Sequence, residues 1–101
     1  MTGDHRLPGA DIVAEGVRAH LRGETTTESL LVAIGAPRLK SLGHDLPERS
    51  TRCERPEIEL YLLLRERHGR DAHQRYNALV RRLVSYERAA ERIQSARMRA
   101  D

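Results

Sequence analysis

A chain of 101 residues with no Phe, no Trp and three Tyr has room for one small domain, and its core must be aliphatic. Its 18 Lys and Arg against 15 Asp and Glu give a net charge of +3, which singles out no polyanion-binding class by itself. A single Cys excludes an internal disulfide, and no apolar run, residues 60–64 included, is long enough to span a bilayer, so a cytoplasmic setting without a membrane partner is expected.

Residues 1–9 (MTGDHRLPG) read as a loose leader closed by a Pro-Gly turn. From Ala10 to Arg22, Val13, Val17 and Leu21 recur every four positions, widened by Ile12 and Ala14, and Gly23 follows as a stop. That spacing predicts a helix. Thr25 and Glu28 have the spacing of a capping box, so a second helix over about residues 26–36 should bury Leu30, Leu31 and Ile34. Pro37 interrupts it or opens a short third segment, Arg38 to Leu42, which Gly43 closes. Residues 43–55 contain Pro47, lack periodicity and read as the main linker; Cys53 within it is expected to be a passive thiol.

Pro56 suits the first turn of the next helix, and Gly69 ends it. Between them Ile58 to Leu64 is almost continuously apolar, a pattern shared by buried helices and buried strands. The many Leu and the lack of a second candidate strand assign it to helix. Asp71 then caps a long last helix over residues 71–96, since no Gly or Pro follows. Ala72, Tyr76, Leu79, Leu83, Tyr86, Ala90 and Ile93 step along it by four and three in strict alternation, with Val80 beside them. At 1.5 Å per residue this helix is about 39 Å long, against a radius of gyration of about 13 Å for a 100-residue globule. It should overhang its own domain. The expected fold is therefore all-α: a single four- to five-helix domain over residues 1–101 with a long C-terminal amphipathic helix.

The overhang directs the functional reading. Tyr76, Leu79, Leu83, Tyr86, Ala90 and Ile93 form a candidate interface for a second copy or a larger protein partner. The excess of positive charge lies in the same half: residues 52–101 carry twelve basic and eight acidic side chains, residues 1–51 six and seven. Arg75, Arg81, Arg82 and Arg88, with Arg92 and Arg99 beyond, face only Glu87 and Glu91 on that helix and are candidate phosphate contacts. No aromatic platform accompanies them, which argues against a reader of single strands.

Other constellations carry less. His68 and His73, near Glu66 and Asp71, are five residues apart across Gly69, a poor spacing for a metal pair, so no metal or cofactor is expected. Thr27 to Gly43 has the length of a helix-turn-helix, but Pro37 sits early in the second helix, where Arg38 and Lys40 are the only cations. Arg67 with His73, and Arg38 with His44, resemble the Arg-x4-6-His motif of helical HEPN ribonucleases, a match that so Arg-rich a chain produces by chance. The chain is thus expected to be a non-catalytic interaction or regulatory protein, acting as a helical homodimer or adaptor. A small basic nucleic-acid-binding protein is the alternative, and a HEPN-like ribonuclease a distant third.

Overall fold

Gly9 starts the first helix in a left-handed conformation (φ 77°), and a Cβ there would lie 2.5 Å from the carbonyl oxygen of Arg82 near the other end of the chain. The computed structural model describes residues 7–44, 46 and 55–100, with side chains as far as Arg97. Helix α1 (Ala10–Leu21) buries Ile12, Val13, Gly16 and Ala19, whereas Val17 is half-buried and Leu21 is 56% exposed. The buried stripe is thus rotated from the one that hydropathy suggests. Gly16 is the reason: a Cβ there would collide with the Glu28 carbonyl and the Val32 side chain, so α1 and its neighbour meet backbone to side chain at this point.

That neighbour, α2 (Thr27–Ile34), is capped one residue later than expected. The Ser29 backbone N–H donates to Thr26 Oγ1 at 3.0 Å, and the Thr26 backbone N–H donates to Ser29 Oγ at 2.8 Å. Ser29 takes the reciprocal role expected of Glu28. Helix α2 stops at Ile34, short of residue 36, because Gly35 serves both as its C-cap and as the N-cap of α3 (Ala36–Ser41). Pro37 lies in the first turn of α3, where its missing N–H costs no hydrogen bond. Leu30, Leu31 and Val32 are buried with Leu39 of α3, while Ile34 is half-buried.

The linker is partly anchored. Leu46 is buried in the core, and His44 bonds to α5. Residues 1–6, Asp45 and residues 47–54, with Pro47 and Cys53, lie outside the described residues. Leu7, at the end of the expected leader, packs against the core.

Helix α4 (Pro56–His68) confirms helix for the apolar run. Its Leu60 and Leu64 are buried against α2 and α5, and Gly69 (φ 57°) breaks it. A 3-10 turn, Gly69–Asp71, leads directly into α5 (Ala72–Ala100), which at 29 residues is about 43 Å long. The whole molecule measures 48 × 27 × 20 Å, so α5 sets its long dimension. Helix α2 packs against α1, α3, α4 and α5. Among the described residues there is no strand, and the fold is all-α.

The two faces of the C-terminal helix as candidate site

The apolar seam of α5 is covered by its own chain. Ala72, Leu83 and Tyr86 are buried, and Tyr76, Leu79, Val80 and Ala90 are partly buried against the same core. Tyr86 OH and His44 Nε2 share a hydrogen bond at 2.7 Å. Tyr76 meets Tyr61 edge to face, with ring centroids 6.2 Å apart, and burial raises its phenol pKa with help from the nearby Glu57 carboxylate. Of the six residues expected to meet a partner, Ile93 alone is exposed, at 40%. Tyr76, Leu79, Leu83, Tyr86 and Ala90 are largely engaged in holding α5 to α2 and α4.

Beside the seam, α3 gathers the two carboxylates of α5. Glu87 is only 5% exposed; its Oε2 occupies the space over Gly35, where a Cβ would come within 2.8 Å. Burial pushes the Glu87 pKa up; the Arg38 guanidinium opposes the rise and the Glu91 carboxylate adds to it. Arg38 lies 4.0 Å from Glu87 and grips Glu91 with two hydrogen bonds, Nη2 to Oε1 at 2.6 Å and Nε to Oε2 at 3.1 Å. This bidentate grip draws Glu91 toward α3.

The opposite face is mainly positive, with Glu91 at its edge in a shallow depression shared with Arg88, Arg92 and Ser95. Successive residues turn by about 100° around a helix, so Arg81, Arg88 and Arg92 lie within about 20° of one line, directly opposite the seam. All three are exposed, and none forms an ion pair with a described residue. The rest of this ridge is Gln74, Asn77, Ala78, Val84, Ser85, Ser95 and Ala96, with no carboxylate among them. Two of the other candidate phosphate contacts lie elsewhere. Arg82 donates to Asp11 at 2.9 Å, across to α1. Burial tends to raise the Asp11 pKa, but the Ile12 backbone hydrogen bond and Arg82 outweigh it and hold the carboxyl below its ordinary value. Arg75 is exposed, about 120° around the helix from the ridge. The Arg99 side chain is outside the described residues.

The histidine motifs are not brought together as sites. Arg67 and His73 are exposed on either side of the 3-10 turn, while Arg38 is engaged with Glu91 and His44 with Tyr86. Among the described residues no three His, Cys, Asp or Glu converge as ligands, and no helix is long and apolar enough to cross a membrane. The sequence offers Arg75, Arg81, Arg82 and Arg88, with Arg92 and Arg99 beyond, as one group of cations; the spacing of seven and four sets Arg81, Arg88 and Arg92 on one line. No protein-family model, curated protein or solved structure matches this chain, and its reading rests on its own residues.

Proposed function

We propose that this protein is a non-catalytic nucleic-acid-binding protein that grips phosphate through the outer ridge of α5. The observation that carries this reading is the line Arg81–Arg88–Arg92, bordered by a single carboxylate, Glu91, which Arg38 holds. An ordinary solvated helix face mixes both signs, and here the negative members are on the α3 side, one buried and one held by Arg38. Each free guanidinium can fork a phosphate. Three such contacts give a salt slope of about −2.7 on duplex DNA, or a loss of about 40-fold between 50 and 200 mM salt. Fluorescence anisotropy with labelled DNA and RNA of mixed sequence tests this. The wild type should bind at 50 mM salt and weaken by that factor, and the Arg81→Gln/Arg88→Gln/Arg92→Gln variant should not bind. Absence of binding at 50 mM, or affinity indifferent to salt, would falsify the proposal.

A protein partner is the second reading, favoured by one observation. Ile58 and Leu62 are 48% and 51% exposed, one turn apart on the face of α4 opposite the buried Leu60 and Leu64. An adaptor role would use this face in place of the α5 seam. Ile58→Asp/Leu62→Asp should then abolish partner capture and leave the fold intact, as read by affinity purification and circular dichroism.

A further inference from the structure

We infer that the nucleic acid suited to this surface is B-form duplex DNA, entered at its major groove by α5; the inference rests on the phosphate-binding reading above. Shape comes first. The ridge is the outward side of a helix about 43 Å long, and a helix of about 10–12 Å diameter fits a major groove about 12 Å wide. Single strands are instead held in grooves and stacked on aromatic rings. This protein offers no stacking ring along the ridge: Tyr86 is buried, Tyr61 and Tyr76 face each other half-buried on the core side, and the shallow depression at Arg88, Arg92 and Ser95 has no aromatic lining.

Clearance comes second. Residues 91–97 are exposed throughout. The described residues that approach this stretch from the body do so on its inner side: Leu7 and Leu42 border a cavity with Ile93, Gln94 and Arg97, Arg38 holds Glu91, and the Ser41 carbonyl accepts from Gln94 at 3.5 Å. The outward side, with Arg92, Ser95 and Ala96, faces away from these contacts. Ser85 between the arginines, with Ala78 before them and Ser95 and Ala96 after, keeps the ridge low, so the helix backbone can approach closely.

Chemistry comes third. Gln74, Asn77 and the three arginines are side-chain types that bond base edges in the major groove, Asn and Gln to adenine and Arg to guanine, and an arginine can also turn to either phosphate wall. An acidic wall would oppose insertion; Glu91, the carboxylate nearest the ridge, is neutralised by the bidentate Arg38. A-form RNA closes this route, because its major groove is too deep and narrow for a helix.

The test compares three labelled probes of one sequence at 50 mM salt: a 20-base-pair DNA duplex, the same RNA duplex, and single-stranded DNA. The DNA duplex should bind at least about tenfold tighter than the other two. Methyl green, which occupies the major groove, should displace the protein, and the minor-groove ligand netropsin should not. Ser85→Leu, which adds bulk on the exposed ridge without a stacking surface, should weaken duplex binding severalfold and leave the circular dichroism melt unchanged. Equal binding to RNA duplex or single strand, or displacement by netropsin alone, overturns the groove assignment while the phosphate reading stands. No binding to any of the three probes overturns both.

Discussion

The inner and outer faces of α5 belong to one continuous helix and behave as two different surfaces. On the inner face large side chains are admitted because glycines on the facing segments leave room. Leu83 lies where a Gly35 Cβ would be 3.0 Å from Cδ2, and the Arg82 carbonyl rests on Gly9. On the outer face Arg81, Arg88 and Arg92 are exposed and form no ion pair with a described residue, and charge sets the character. The contrast shows that an apolar seam of heptad spacing does not specify which protein fills it. A short helix of the same chain serves as well as a second copy, and here α2 and α4 fill it. What a long helix leaves for other molecules is then the reverse of the seam.

The strongest way to break this comparison is Leu83→Asp. A buried aspartate on the inner face should unfold the protein, with a loss of about 4 kcal/mol or more. A folded, monomeric variant in a thermal melt with light scattering would show that the seam is an intermolecular surface after all. Wild-type protein should be monomeric at tens of micromolar, since Ile93 alone of the six candidate interface residues is exposed. Gly16→Ala comes next. The added methyl meets the Glu28 carbonyl and Val32, which forces α1 and α2 apart at an expected loss of about 1–3 kcal/mol in urea unfolding. Neutral or improved stability would mean that the α1–α2 contact has slack that the structure does not show.

These two positions also mark what was legible in the sequence. Helix number, a break within two residues of Pro37, the α4 assignment and the length of α5 follow from spacing, Pro and Gly placement, and composition, because these are local properties. The rotation of α1 did not follow. A glycine has no hydropathy to announce that it is buried, so Gly16 was passed over and Leu21 was given its place. Buried Glu87 was hidden for the converse reason: its charge reads as surface, and only the gap over Gly35, fifty-two residues away, accommodates it. The proposed site was legible in its residue types, since its three arginines stand among the cations that the sequence offers. Separating Arg81, Arg88 and Arg92 from Arg82 needed the position of Asp11 on another helix.

That separation can be measured. Arg88→Ala, on the ridge, should reduce the salt slope of DNA binding by about 1 and leave stability within about 0.5 kcal/mol. Arg82→Ala should do the opposite. It removes an exposed pair with Asp11, worth at most about 1 kcal/mol, and leaves the slope unchanged. If the two variants lose slope equally, the ridge is not the binding line, and general positive charge of the helix carries the affinity.

The smallest effect belongs to Glu87 and is read as a dependence on pH. Its folded-state pKa is above the ordinary 4.5, chiefly because burial disfavours the carboxylate. Between 4.5 and that raised value the folded chain holds a proton that the unfolded chain has released, so this group makes stability fall as pH rises through the interval. Asp11, whose pKa is lowered, acts in the other sense and removes stability as pH falls through its own lower range. Wild type alone would mix the two, and the difference from Glu87→Gln isolates one. The amide is neutral at every pH and fits the same gap over Gly35. Thermal melts of wild type and Glu87→Gln should therefore agree well below pH 4.5, with the variant rising above wild type toward neutral pH. A variant that melts lower at neutral pH would reverse the argument. Attraction to Arg38 would then outweigh burial, and the α3–α5 contact would be held by a working ion pair at Glu87 as well as at Glu91.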